Sequence, residues 1–188
     1  LNGQKPYAIA DLGLSRTFQN IRLFKDLTAL DNVLIAMNSK NKEGFFSSVL
    51  RLPAFYNKED KLKEEALKLL TIFDLQDKAE NLARNLPYGE QRRLEIVRAL
   101  ATKPKILFLD EPAAGMNPQE TAALTLLIRK IQKEFQITIL LIEHDMSLVM
   151  DVCERIYVLE YGRILAEGIP EEIKNNPEVI KAYLGGEL

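Results

Sequence analysis

The sequence predicts an α/β fold, a parallel sheet with flanking helices joined to an all-helical stretch. Three observations carry this. Apolar runs at Ile106–Leu109 and Ile137–Ile142 alternate with an amphipathic segment, Gln119–Phe135, whose Leu124, Leu127, Ile128, Ile131 and Phe135 share one helical face. Strand–helix–strand alternation implies a parallel sheet with helices packed on it. Residues from about Lys25 to Asn85 read instead as helical, with Leu62, Ala66, Leu69, Leu70 and Phe73 at helical spacing. Finally, Asp110 and Glu111 come directly after the Ile106 run, at the strand end where parallel sheets bind ligands.

Local signals mark the remaining elements. Pro6–Asp11 predicts a short helix, with Pro in its first turn and Gly13 just past its end. Leu14–Phe18 predicts a strand, with Gln19 at its exit. Gly44–Tyr56 concentrates aromatics, Phe45, Phe46, Phe55 and Tyr56, read as internal packing of the helical part. Leu86-Pro87-Tyr88-Gly89-Glu90-Gln91 predicts a glycine-containing turn before an Arg-rich helix, whose Leu94, Val97, Leu100 and Ala101 face the core. Asp145 is placed to cap a short helix through Val152. Ile156–Leu159 and Arg163–Ala166 flank Tyr161-Gly162, a hairpin pattern.

Composition bounds the function. The 188 residues suit one domain, and 47% apolar with 28% charged residues is ordinary for a globular protein. Lys plus Arg total 25 against 27 Asp plus Glu, a net charge of -2 that disfavours free nucleic acid as the main partner. The single cysteine, Cys153, has no internal disulfide partner, which fits a reducing cytosol. The longest strongly apolar run, Ile137–Ile142, is far too short to cross a bilayer, and no signal-peptide pattern occurs. The start at Leu1 rather than Met suggests a fragment or a processed form.

The span Leu86–Pro118 gathers parts that a metal–triphosphate site needs. Asp110 can hold Mg²⁺ directly or through water. Glu111 can orient or deprotonate a water attacking a terminal phosphate. Taken alone, the same pair is equally read as charges ending a buried strand at solvent. The start of the Arg-rich helix offers unpaired N–H groups and a positive dipole end to an anion, and Gly89 permits close backbone approach. An ordinary loop before a surface helix explains that hexapeptide equally well. No G-x-x-x-x-G-K-[ST] loop occurs in the chain.

Together these residues resemble the ATP-binding subunits of ABC transporters. Leu86–Gln91 resembles the signature sequence, commonly L-S-G-G-Q. Gly89 matches the second glycine; Pro87, Tyr88 and Glu90 stand at the usual Ser, Gly and Gln. Tyr-Gly followed by Glu-Gln-Arg-Arg-Leu-Glu-Ile is similar to the branched-chain amino-acid subgroup, as is the ending from Gly168-Ile169-Pro170 to Ala182-Tyr183-Leu184-Gly185. Ile106–Glu111 resembles the Walker B strand with its catalytic glutamate. Asn117 falls in the D-loop position, His144 matches the switch histidine and Gln19 the Q-loop glutamine.

The resemblance implies a P-loop NTPase-like core, at about 91–188, and an all-helical subdomain, at about 25–90, with the signature turn at its end. It implies catalytic roles for Glu111, His144 and Gln19, and Mg²⁺ contacts for Asp110 and Gln19. Leu86, Pro87, Tyr88, Gly89, Glu90, Gln91 and Asn117 are the expected nucleotide contacts, with ATP and Mg²⁺ bound between two subunits. The expected partners are a second ATPase subunit, transmembrane permease subunits and, indirectly, an extracytoplasmic amino-acid-binding protein, with no nucleic acid. The expected place is cytoplasmic, peripheral on the inner face of the membrane. The Gly44–Tyr56 aromatics are alternatively a partial contact with a permease. The family's phosphate loop is expected upstream of Leu1, so these residues alone are expected not to hydrolyse ATP. Competing readings are a relative with other cargo (urea or lipopolysaccharide), a soluble ABC ATPase acting on DNA or ribosomes, and a non-catalytic nucleotide-binding fragment. Coiled-coil insertions and basic arms, which mark the soluble class, are not seen.

Overall fold

A computed structural model describes residues 2–38 and 53–184. Phe45 and Phe46, and the side chains of Phe55 and Tyr56, lie outside the described residues, and with them the aromatic packing expected of Gly44–Tyr56.

Helix α1, Pro6–Asp11, runs into strand β1, Leu14–Arg16. The strand is shorter than the expected Leu14–Phe18, but Thr17 still donates its N–H to Phe108 O, 2.9 Å away. Helix α2, Ala29–Asn38, comes after Thr28, whose hydroxyl accepts from Asp31 N while the Asp31 carboxylate accepts from Thr28 N. Helix α3, Pro53–Ile72, leads through two 3₁₀ turns, Gln76–Lys78 and Ala83–Asn85, into helix α4, Tyr88–Ala101. Helices α2, α3 and α4 pack on one another.

Then come β2, Ile106–Asp110; α5, Pro118–Phe135; β3, Thr138–Ile142; and α6, Met146–Val152. The first sheet has the order β1-β2-β3, parallel throughout, as the alternation predicts. Strands β4, Ile156–Glu160, and β5, Arg163–Gly168, form a separate antiparallel pair, with α7, Pro170–Lys174, and α8, Pro177–Leu184, after it. Its turn is the expected Tyr161-Gly162, both residues at positive φ, 45° and 76°.

Two apolar cores result among the described residues. The larger runs from Leu30 and Val33 of α2 through Leu70 and Phe73 of α3 and Leu94 and Val97 of α4 to Leu107 and Leu109 of β2 and Leu124, Ile128 and Ile131 of α5. The helical part and the sheet therefore share one interior. The smaller core joins Val149, Ile156, Ile173 and Val179 beneath the hairpin. Among the described residues no helix is long and apolar enough to cross a membrane.

Leu107 sits on the middle strand, fully buried in the larger core. Leu107→Ala should destabilise the fold by about 2–5 kcal/mol in urea denaturation. A loss below about 1 kcal/mol would mean that the sheet and the helices do not share this core.

Candidate functional site

Parallel pairing decides where the site lies. In register, Arg16 pairs with Phe108 and Asp110 with Ile142, so all three strands exit at the same edge of the sheet. The residues just past those exits are Thr17–Gln19, Glu111 and Glu143–His144.

Glu111 leaves β2 in a left-handed backbone conformation, φ 43°, while its N–H still bonds Ile142 O at 2.9 Å. For a non-glycine residue this is a costly geometry that persists only where its surroundings impose it. Gln19 Nε2 donates to Glu111 Oε2 at 2.8 Å, and His144 Nδ1 lies 3.7 Å from Glu111 Oε1. The early glutamine, the strand-end carboxylate and the lone imidazole thus meet in one cluster. Asp110 faces Arg16, which donates to its Oδ2 at 2.6 Å.

Glu143 belongs to no motif legible in the sequence. Its side chain is 1% exposed and accepts from Ala113 N at 3.0 Å, His144 N at 3.0 Å and Asp145 N at 3.3 Å. One buried carboxylate therefore ties the loop after β2 to the loop after β3 and sets where His144 stands. Its partners are backbone amides, so no side-chain pattern announces them. Asp145 caps α6 as expected, accepting from Ser147 N and Leu148 N.

The signature-like segment differs from the expected turn. Helix α4 begins at Tyr88, so Gly89, Glu90 and Gln91 belong to its first turn and only Leu86 and Pro87 remain outside. Gly89 is not at positive φ. A Cβ there would come within 3.1 Å of Glu120 Oε1, which is a close-approach reason for glycine. Gly115, at φ 77°, is also constrained, since a Cβ would meet the Tyr88 ring at 3.3 Å. The loop Ala113–Asn117 is thereby pressed against the start of α4.

Besides Tyr88, whose hydroxyl accepts from Arg92, three of the expected nucleotide contacts have their side chains engaged locally. Glu90 is bonded by Lys78, with Arg93 4.0 Å away. Gln91 Nε2 donates to Leu86 O at 2.8 Å. Asn117 caps α5, accepting from Gln119 N and Glu120 N in a capping box with Glu120. Glu90 N and Gln91 N both donate to Pro87 O, so what this helix start presents to an anion is the backbone N–H groups of Tyr88 and Gly89 rather than these side chains.

Beneath that helix start lies a buried charge cluster. Arg92 donates Nη1 to Phe18 O at 2.8 Å, Nη2 to Gln19 O and Nε to Tyr88 Oη at 3.2 Å. It also lies 3.5 Å from the buried Glu95 carboxylate. Glu95 Oε1 accepts from Arg22 N, and Arg98 donates to Arg22 O. Asn32, fully buried, closes the far end, donating to Phe24 O and Thr28 O and accepting from Phe24 N. Removal from water pushes the Glu95 carboxyl above its ordinary range, outweighing its backbone bonds and the two arginines.

Oxygen donors at the exit of β2 suit magnesium, which takes one or two carboxylates and completes its shell with phosphate and water. Among the described residues no group of three His, Cys, Asp or Glu is placed to hold a metal ion. Asp110 is the strand-end carboxylate at the exit of β2, and Arg16 occupies its Oδ2.

A family model described as ABC transporter matches residues 4–114, and one described as branched-chain amino acid ATP-binding cassette transporter matches residues 163–188. Over 185 residues the chain is 49% identical to the high-affinity branched-chain amino acid transport ATP-binding protein LivG of Salmonella typhimurium, covering 98% of this chain and 72% of that protein. It is 48% identical to the corresponding protein BraF of Pseudomonas aeruginosa, with the same coverage. A crystal structure of an ATP-binding cassette of an ABC transporter in its ADP conformation superposes with a TM-score of 0.79 at 30% identity, covering 98% of this chain and 73% of that one.

The raised Glu95 pKa has a signed consequence. Between the ordinary glutamate value and the raised one, the folded state binds more protons than the unfolded state, so stability falls as pH rises through that window. Glu95→Gln removes this component. In urea denaturation the stability of the variant relative to the parent should be greater at pH 7 than at pH 5. A difference that is flat or reversed would contradict the desolvated carboxylate.

Proposed function

The chain belongs to the ABC transporter ATP-binding family, and on that premise we propose that it is the ATP-hydrolysing subunit of an importer for branched-chain or related amino acids. The observation that carries the mechanism is the meeting of Gln19, Glu111 and His144 beside Asp110 at one edge of the parallel sheet. The names of the 49% and 48% identical relatives support the cargo class.

In this reading Glu111 orients the attacking water and takes its proton at the carboxylate, a role worth about 10²–10⁴ in rate. Gln19 fixes that carboxylate through its amide and stands beside the water. His144, set by the Glu143-bound loop, donates a hydrogen bond toward the terminal phosphate. Asp110 would hold Mg²⁺, directly or through water, with Arg16 orienting its carboxylate. Magnesium, when bound, neutralises charge that develops on the phosphates.

Tyr88–Gln91, with Leu86 and Pro87 before it and Asn117 alongside, offers its helix start to the nucleotide of a second ATPase subunit. Glu90 at that start would repel an anion, and its contacts with Lys78 and Arg93 offset this. ATP then joins two subunits because it binds the closed pair far better than the open one. The helical part, about 25–90, carries the motion to permease subunits at the cytoplasmic face of the membrane, with an extracytoplasmic amino-acid-binding protein delivering cargo. Urea or lipopolysaccharide as cargo is the second reading, tested by which solute stimulates turnover.

Glu111→Gln, made in a form that carries a phosphate-binding loop, should retain ATP binding and ATP-dependent dimerisation while turnover drops by about 10²-fold or more. If the variant keeps most of its rate, Glu111 is not the base.

A further inference from the structure

We propose that Arg92 is a positioning residue that makes Gln19 and the start of α4 a single mechanical unit. The inference rests on the ATPase reading and adds to it a route between two half-sites within one chain. Arg92 is 3% exposed. Its fork grips Phe18 O and Gln19 O, the carbonyls before and after the Gln19 Cα, while Nε bonds Tyr88 Oη and the guanidinium lies 5.5 Å from the Tyr88 ring centroid. A single guanidinium thus holds the glutamine's backbone with one edge and the helix start with the other.

The charge balance makes this grip hard to release. Glu95 is the only carboxylate within 4.0 Å of Arg92 in the described residues, and it is shared electrostatically with Arg98. Carbonyl dipoles must therefore satisfy much of a buried cation. Sliding the Thr17–Arg22 segment away from α4 would strip the buried guanidinium of both carbonyl acceptors and leave it only Tyr88 Oη and the 3.5 Å contact with Glu95, which is costlier than breaking an exposed bond. The segment and the helix move together instead. At its other end Gln19 is bonded to Glu111, and Tyr88 is pressed on Gly115. A shift of Gln19 when the phosphate beside Glu111 changes is passed through Arg92 to Tyr88–Gln91, the surface offered to the partner's nucleotide.

Amide hydrogen exchange tests this on the protein as it stands. In Arg92→Lys, which keeps the charge but loses the fork, exchange at Gln19–Arg22 and at Tyr88–Gln91 should rise together by about tenfold or more, with β2 and β3 unchanged. Loosening of only one segment, of neither, or of the whole fold equally would overturn the proposal. Tyr88→Phe keeps the folding risk low. It should speed exchange at Gln19–Arg22, which Tyr88 does not itself hold, and unchanged rates there would again overturn the unit. In an assembled, loop-carrying ATPase, Arg92→Lys should lower kcat by about tenfold with KM for ATP held within about twofold. An unchanged kcat overturns the positioning role. A parent protein with no turnover in that assembly instead overturns the ATPase reading and leaves the exchange result standing.

Discussion

The parallel register of β2 with its two neighbours is the constraint on which the rest of the molecule depends. Leu107 and Leu109 fill the interior from the middle strand, and Asp110 pairs with Ile142 at its end. Because the strands run the same way, their exits share one edge. Residues far apart in the chain, Gln19, Glu111 and His144, are delivered to the same place without any local sequence linking them. An antiparallel arrangement of the same strands would scatter them to opposite ends.

A second constraint sits between the sheet edge and the helices. Gln19 occupies a segment held at Thr17 by the β2 backbone, at Phe18 and Gln19 by Arg92, at Arg22 by Glu95 and Arg98, and at Phe24 by Asn32. Such a segment is a strap rather than a loose loop. Its buried charges contribute little net stability compared with an apolar core of the same volume, but they leave few alternative arrangements for the chain. That specificity suits the proposed role of conveying a small displacement.

The helices and strands were legible in the sequence because their signals are local. Period and turn chemistry mark Gln119–Phe135, the Tyr161-Gly162 hairpin and the Asp145 cap, and the structure carries each. The strand ends were legible too, since Asp110 and Glu111 interrupt an apolar run. Glu143, Arg16 and Arg92 were not. Their partners are backbone groups or side chains distant in sequence, and nothing in a glutamate beside a histidine foretells three amide donors. The turn expected at Leu86–Gln91 is mostly helix, because Pro87 supplies the extended residue before the first turn and Gly89 serves close packing on Glu120 rather than a bend.

If the site works as proposed, the lone imidazole and the early glutamine surround the same magnesium-bound nucleotide. His144 is the only histidine in the chain, so its ring signals are assigned without ambiguity in an NMR spectrum. Substituting Mn²⁺ for Mg²⁺ with a non-hydrolysable ATP analogue, in a loop-carrying form, measures the proximity directly. The His144 ring and the Gln19 side-chain amide should both be broadened beyond detection while signals from the Tyr161 hairpin turn persist. Sharp His144 and Gln19 signals at saturating manganese-nucleotide would contradict the shared site.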